Sequence, residues 1–291
     1  MDVVIHAGAH ITDEDRLINC LLRNKTDLAE HGTLIPDPSS YRKLLRDLMN
    51  ADKDGQMAPD AHDQVVSVLM TDDAPERLVL SNAGFFGTPK MAIATGTLYA
   101  AAERRLETLM RIFRTENLSL CMAICNPASF LPAVFQKSRV NSFDEFMNGA
   151  DPQIVRWSDM IARIRTTFPD IPITVWCNED LPLLWGEVIR RMAGLPDDAP
   201  FEGEFSLLGE IMTETGLKRF HDYIETHPGL SESQKRRVIV AFLDKFARND
   251  AIEEEVGIHG WTDDLINALT ESYDQDFLDI QTIPGIDLIT P

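Results

Sequence analysis

The sequence predicts an α/β fold in which an open, mainly parallel sheet is flanked by helices and followed by a largely helical C-terminal part. Two observations support this prediction. Four short apolar runs are near-continuous rather than alternating, as strands buried on both faces of a parallel sheet require. Helical patterns separate the runs, and these separations suit right-handed crossover connections. The predicted strands cover residues 3–6, 77–81, 118–125 and 173–177.

The helical patterns follow the strands in order. The first covers residues 13–31, with leucines at helical spacing, and Gly32 is placed to end it as a left-handed cap. Between the second and third strands, residues 97–116 form a long amphipathic pattern. After the third strand, Pro127 stands where a helix tolerates proline, at its first position. Each strand is therefore followed by a helix that can carry the chain back across the sheet.

The C-terminal half is predicted to be mostly helical. Ser142 begins a short helix, with Glu145 at the spacing of a capping box. Because no flexible linker interrupts the chain, we expect one domain over residues 1–291, in which residues 203–280 form a helical cap or flank. The remaining predicted helices cover residues 181–192, 204–226, 231–249 and 261–280.

Composition limits the partners. The chain has 47 acidic residues against 27 Lys and Arg, a formal net charge of -20. Nucleic acid and anionic membrane both need clustered cations, so neither is an expected partner. The segment 251–291 has ten acids and no Lys or Arg, which is typical of a solvated helical face. The expected partner is an unidentified small molecule or protein.

The cysteines and the N-terminus indicate a cytoplasmic protein. Cys20, Cys121, Cys125 and Cys177 have no CxxC spacing, and two of them lie in an apolar run where thiols behave as small hydrophobic groups. The first residues already form a strand pattern without a basic leader, and no apolar stretch approaches membrane-spanning length.

The loop after the first strand holds the candidate binding residues, because ligands of open α/β sheets bind beyond the carboxyl ends of the strands. A phosphate-binding loop needs glycines for close backbone approach, a lysine for the phosphate charge and hydroxyls at the helix N-terminus. Only the outline of such a loop is present. The candidates are Gly8, Ala9, His10, Ile11, Thr12, Asp13, Glu14, Asp15 and Arg16, with Ser81 at the end of the second strand.

This loop resembles that of bacterial sulfotransferases that use 3′-phosphoadenylyl sulfate (PAPS). Their first strand enters a loop of the type His-x-Gly-x-His-Lys-Thr-Gly-Thr-Thr, followed by Asn-x-x-x-Leu-x-x-x-Gly-x-x-x-Pro. The resemblance continues through residues 80–89, 123–135 and 142–146 and through the closing segment, so it covers nearly the whole chain. It implies a P-loop-like fold. The matching residues are His6, Gly8, His10 and Thr12 in the loop and Asn24, Leu28, Gly32 and Pro36 after it.

The departures fall where the family binds its donor. Ile11 stands at the position of the lysine that contacts the phosphosulfate, and three acids replace the following glycine and threonines. The family's arginine and serine for the 3′-phosphate correspond to Cys125 and Ala133. Ala83 replaces an acidic residue found near the second strand in many relatives. Of the charged or hydroxyl positions that can be matched, only Thr12 and Ser81 keep their type.

The replaced residues change the charge that a bound nucleotide would meet in this loop. With Thr12 as N-cap, we expect Asp13, Glu14 and Asp15 in the first turn of the helix, where they take the place of a bound anion. Two like charges about 4 Å apart repel by about 1 kcal/mol in water and by more in a cleft. We therefore expect an impaired or repurposed member of the sulfotransferase family that acts as a binding or regulatory protein and needs no cofactor.

Two alternatives stay open. An active sulfotransferase with a divergent PAPS site would use the main-chain amides of residues 8–12, with His6 or His10 as the base. A metal-dependent enzyme would use the histidines and acids of the loop, although neither an HxH nor an HExxH spacing supports a metal site. At the end of the fourth strand, Glu179 is a further candidate base, and Asp180 is expected to cap the next helix.

Overall fold

The strands build one large sheet and one small hairpin. The computed structural model describes residues 1–70, 75–94, 96–248, 258 and 260–291. In this part of the chain six strands form a parallel sheet, and two more pair antiparallel. The strands are β1 (Asp2–His6), β2 (Thr33–Leu34), β3 (Arg77–Ser81), β4 (Ile93–Ala94), β5 (Thr97–Leu98), β6 (Asn117–Ile124), β7 (Ile173–Cys177) and β8 (Ile286–Ile289).

The order of the large sheet is β2-β3-β1-β6-β7-β8, which confirms the predicted open, parallel α/β architecture. The four predicted strands are neighbours in it, and each predicted boundary lies within one residue of the observed one. β1 pairs with β3 on one side and β6 on the other, so that His6 lies opposite Ser81 and Cys121 at the carboxyl edge. The loop after β1 therefore starts in the middle of this edge.

Helices connect the strands and cover both faces of the sheet. They are α1 (Arg16–Arg23), α2 (Lys25–Glu30), α3 (Pro38–Lys53), α4 (Ala61–Leu69), α5 (Ala102–Ile112), α6 (Pro127–Ser138), α7 (Phe143–Met147), α8 (Trp157–Thr167), α9 (Leu181–Ala193), α10 (Leu208–Ile211), α11 (Glu214–Thr226), α12 (Glu232–Phe246) and α13 (Asp263–Thr282). Pro127 opens α6 as predicted, and the Ser142 hydroxyl accepts the amide hydrogen of Glu145 at the start of α7.

The prediction of one helix over residues 13–31 is wrong. The chain forms α1 and α2 instead, and both meet at Asn24. The buried Asn24 side chain exchanges two hydrogen bonds with the backbone of Glu202, at 2.8 and 2.9 Å. This long-range anchor stabilises the break between the two helices.

Two further predicted helices are shorter than expected. The predicted helix over residues 97–116 begins only at Ala102, because β5 pairs with β4 and Tyr99 adopts a left-handed conformation with φ 45°. The predicted helix over residues 204–226 is divided into α10 and α11, and Thr213 caps the second of these by accepting the amide hydrogen of Gly216. The helix predicted over residues 231–249 ends at Phe246, followed by Ala247 in an extended conformation, and residue 249 lies outside the described residues.

The sheet separates two apolar cores. Val3 and Ile5 point to a large core built with α3 to α6, α8 and α13, whereas Val4 points to a second core built with α1, α2 and α9. A third, smaller cluster around Phe220 joins α10, α11 and α12. This alternation along β1 is what burial on both faces of a parallel strand requires.

The C-terminal elements return to the large sheet. β8 pairs parallel with β7, and the buried carboxylate of Asp276 on α13 accepts the amide hydrogens of Trp157 and Ser158 at the start of α8. Arg156 pairs with the same carboxylate at 3.1 Å. Residues 253–255, three of the acids in the segment 251–291, lie outside the described residues. Among the helices that the structure describes, none has the length and apolar character needed to cross a membrane.

Candidate functional site

The end of β1 is held by a buried polar network. The Nδ1 atom of His6 lies 2.8 Å from the hydroxyl of Ser81, and the His6 ring stacks on Trp176 with the ring centroids 5.8 Å apart. Tyr41 on α3 accepts the amide hydrogen of Ser81 and donates to its carbonyl. Burial lowers the pKa of His6 below its ordinary value. His6 and Ser81, predicted separately as candidates, are therefore in direct contact.

After His6, the loop backbone bonds to β6. The amide of Ala9 donates to the carbonyl of Ala123, and the amide of Ala123 donates to the carbonyl of Gly8. The Gly8–Ala9 peptide bond is cis. Gly8 has φ +92°, and a Cβ there would lie 3.2 Å from the Cα of Ala83. A left-handed conformation and close backbone contact both require glycine at this position. The matched glycine thus serves the loop's own packing.

His10 is buried and is held by Tyr99. Its amide donates to the Tyr99 hydroxyl at 3.0 Å, and its Nδ1 lies 2.7 Å from the same oxygen. The rings are stacked with centroids 5.6 Å apart. Burial lowers the pKa of His10 to about 4, so the imidazole is neutral at pH 7. This histidine is a structural partner of Tyr99 and a weak base.

Thr12 and Asp13 do not take the places predicted for them. The Thr12 hydroxyl donates to the carbonyl of Ala9 instead of capping a helix. Asp13 lies before α1, and its carboxylate accepts the amide hydrogens of Leu17 at 3.2 Å and Asp15 at 3.4 Å. Only 5% of Asp13 is exposed. A carboxylate does serve the free amides of the helix, but it does so from the preceding loop.

Glu14 and Asp15 are also outside the helix, so the predicted acidic first turn is wrong. Both have left-handed backbones, with φ 48° and 68°, and Asp15 is the N-cap residue. Their side chains turn to basic residues of other elements. Asp15 forms a bidentate pair with Arg42 on α3 at 2.6 and 2.8 Å, and Glu14 pairs with Lys137 on α6. Hydrogen bonds from Arg42 and Lys137 lower the pKa of Asp15 and Glu14, respectively.

The remaining loop residues also contact other parts of the structure. Ile11 has φ 64° and packs with its partly buried side chain against the large core. Arg16 donates from Nε to Glu210 on α10 at 2.7 Å, with both side chains substantially exposed. Arg42, besides holding Asp15, donates to the carbonyl of Ser81 at 2.9 Å. The loop is thus fixed to α3, α6 and α10 by its own charged side chains.

The two positions matched to a 3′-phosphate site lie directly after β6 and on α6. Cys125 is buried, and its sulfur lies 3.5 Å from the hydroxyl of Ser129. Its carbonyl accepts the indole hydrogen of the buried Trp157. Ala133 lies on α6 with a partly buried side chain. Neither side chain can contribute a positive charge for a phosphate.

Glu179 connects structural elements. One carboxylate oxygen accepts the amide hydrogen of Asn126 at 2.7 Å and the other accepts the Tyr273 hydroxyl at 3.1 Å. Both oxygens are therefore engaged with α6 and α13. Asp180 occupies the N-cap position of α9 as predicted, but its side chain makes no capping hydrogen bond.

The loop does not assemble a set of metal ligands. In the described part of the chain, no three His, Cys, Asp or Glu side chains lie together in a way that could hold a metal ion. The two loop histidines bond to Ser81 and Tyr99, and Asp15 and Glu14 pair with Arg42 and Lys137.

Sequence reasoning missed the partners of the loop. Tyr41 and Arg42 lie on a helix that was not predicted, Tyr99 was assigned to a helix, and Lys137 was passed over. These residues meet the loop across 27 to 123 positions of sequence. The excess of acids in the loop was the available signal, because buried or clustered carboxylates require cationic partners.

No model of a known protein family matches this chain, and no curated protein sequence matches it.

Proposed function

We propose that this chain is a sulfotransferase-like α/β protein whose donor loop is filled by its own carboxylates, and that it acts as a binding or regulatory protein with little or no sulfate transfer. The observation that carries the proposal is the position of Asp13. Its carboxylate accepts the amide hydrogens at the start of α1, where an anion would otherwise gain most from the helix N-terminus.

The basic side chains near the loop are engaged in the same way. Arg42 and Lys137, which could attract a phosphosulfate, pair with Asp15 and Glu14. A nucleotide would have to displace these internal anions before it gained their cations. It would also approach carboxylates that repel it.

The backbone of the loop offers less than an active donor site would need. Of the amides in residues 8–12, those of Ala9 and His10 already donate to Ala123 and Tyr99. His10, with a pKa of about 4, is a poor general base at neutral pH. These contacts favour the filled-loop proposal over a divergent active enzyme.

Titration with 3′,5′-diphosphoadenosine, the product nucleotide of sulfate transfer from PAPS, tests the proposal. Isothermal titration calorimetry of the full chain is expected to give no binding heat. A Kd in the micromolar range for the wild type would contradict the proposal and support a divergent sulfotransferase.

An opened variant makes this test sharper. It combines Ile11→Lys, Asp13→Gly, Glu14→Asn and Asp15→Asn; asparagine is chosen at the last two positions because it tolerates a positive φ, whereas threonine does not. Any affinity that this variant gains reports the removed carboxylates together with the lysine added at position 11.

A matched control separates this effect from net charge. Asp263→Asn, Asp264→Asn, Glu271→Gln and Asp274→Asn change the net charge by the same amount at exposed positions of α13. The control is expected to behave like the wild type.

A further inference from the structure

A cavity opens beside the loop, between α3, the segment after β3 and α5. We call it the Arg105 cavity; it has a volume of about 840 Å³ and adjoins His10 on one side. Its position fits the rule that ligands of open α/β sheets bind beyond the carboxyl ends of the strands. Its volume lies in the range of small-molecule sites.

The lining of this cavity is basic in a strongly acidic protein. Arg42, Lys43, Arg46 and Arg105 all line it, and within the described residues no Asp or Glu does. Arg42 is neutralised by Asp15, and Lys43 and Arg46 lie 3.4 Å from the exposed Asp47. Because Lys43 and Arg46 share one carboxylate, surplus positive charge remains at this exposed pair and at Arg105, and of these only Arg105 is buried.

Arg105 is a buried guanidinium that pairs with no carboxylate of the described residues. Only 6% of the residue is exposed, and among the described residues its Nε has no hydrogen-bond partner. Within the described part of the chain, its Nη1 contacts the Met49 sulfur at 3.9 Å and the Phe85 carbonyl at 3.5 Å. Burial, together with the neighbouring Arg104, lowers its pKa. A buried charge in this condition is costly unless an anion pairs with it.

We propose that the Arg105 cavity is a binding site for a small organic dianion, whose carboxylate or phosphate group pairs with Arg105. A guanidinium presents parallel N–H groups that match the oxygens of either group. The side chains of Ser39, Asn50, Asn82 and Thr88 also line the cavity and offer neutral hydrogen-bonding groups for the rest of the ligand.

This inference extends the proposed function, because it gives the binding protein a ligand class, but the anion-binding group that it names, Arg105, lies outside the loop. The donor loop can be filled whether or not the cavity binds an anion. The two claims therefore fail separately.

Calorimetric titration of the full-length protein with sodium phosphate and with sodium malonate tests the site, with sodium chloride at matched ionic strength as the reference. The wild type is expected to bind at least one probe with a single site. Binding of phosphate alone identifies a phosphate ester as the ligand, and binding of malonate alone identifies a dicarboxylate. If neither probe binds, the proposal is overturned.

Arg105→Met removes the charge and keeps an apolar side chain of similar length beside Met49. It is expected to weaken binding of the probe by on the order of 30-fold or more. It is also expected to raise the melting temperature of the protein in anion-free buffer, because an unpaired buried charge is replaced by a packed apolar group. Arg114→Met, which removes a cation at the opposite edge of the sheet, is the charge-matched control and is expected to leave the affinity unchanged.

These measurements distinguish an anion-binding role of Arg105 from a purely structural one. Unchanged anion affinity in Arg105→Met, or a lower melting temperature with no anion effect in either protein, overturns the proposal. If nucleotide binding persists in Arg105→Met, it contradicts the proposal that the loop is filled, and it leaves the proposal about the Arg105 cavity untouched. Nucleotide binding that is lost in Arg105→Met supports the cavity and contradicts the claim that the protein has no affinity for the nucleotide.

Discussion

Replacement of Asp13 by alanine removes the carboxylate that accepts the amide hydrogens of Leu17 and Asp15 ahead of α1. Loss of a capping side chain costs about 0.5–2 kcal/mol, and a buried amide left without an acceptor costs about 1–3 kcal/mol. The two free-energy costs overlap, because the lost cap is itself the lost acceptor, so they are not added together. Because the carboxylate is almost fully buried, we expect Asp13→Ala to lower the free energy of unfolding by about 2 kcal/mol.

Asp13→Asn is the matched control for this change. Asparagine keeps an oxygen that can accept the Leu17 amide hydrogen, and it ranks with aspartate as a capping residue. It is expected to cost clearly less than alanine. Urea unfolding followed by circular dichroism measures both, and the slope of the free energy against urea should stay the same for all three proteins. If the alanine and asparagine variants were equally stable, the carboxylate would not be serving the helix terminus.

Three further predictions concern the same framework. Burial lowers the pKa of His10 to about 4 from 6.5, so the unfolded chain takes up the proton first and stability falls by about 3 kcal/mol as the pH drops from 6.5 through 4. In His10→Gln the free energy of unfolding should depend less on pH in that window, and an unchanged dependence contradicts the assigned burial. Gly8→Ala places a Cβ at φ +92° and 3.2 Å from the Cα of Ala83, and is expected to cost about 2 kcal/mol in urea unfolding; a neutral effect would refute the need for glycine. Asp276→Ala removes the acceptor for the first amides of α8 and is expected to lower the free energy of unfolding by about 3 kcal/mol, whereas Asp279→Ala, at a partly exposed position, should cost less than about 1 kcal/mol; similar costs would contradict the special role of Asp276.

The sheet could be predicted from the sequence because its strands are buried on both faces. Residues 77–81 and 173–177 were placed without error, since a near-continuous apolar run leaves few other structures open. β2 was missed because two residues carry no pattern. α3, α4 and α8 were not predicted either, although α3 supplies Tyr41 and Arg42 to the site.

The sequence identified the charged residues of the loop as candidates, but it did not predict their conformation. Its acids were expected in a helical turn, because sequence patterns report local preferences and Thr12 is a good N-cap. The observed left-handed residues Ile11, Glu14 and Asp15 accompany contacts with Arg42, Lys137 and the large core. Such contacts join residues far apart in sequence and leave no periodic signal. One expectation about the loop corresponds to an observed contact: a carboxylate of the chain, that of Asp13, accepts an amide hydrogen at the start of α1.

The central proposal is that the carboxylates of this chain occupy the place where a PAPS-dependent sulfotransferase would hold its nucleotide. The most direct measurement is the affinity of the wild-type protein for 3′,5′-diphosphoadenosine, determined by calorimetry at low ionic strength, where electrostatic attraction is least screened. The account predicts no measurable binding by the wild type. A micromolar Kd for the wild type would contradict it, and a Kd that is unchanged in Arg105→Met would show that the nucleotide binds outside the cavity, at a loop open to anions.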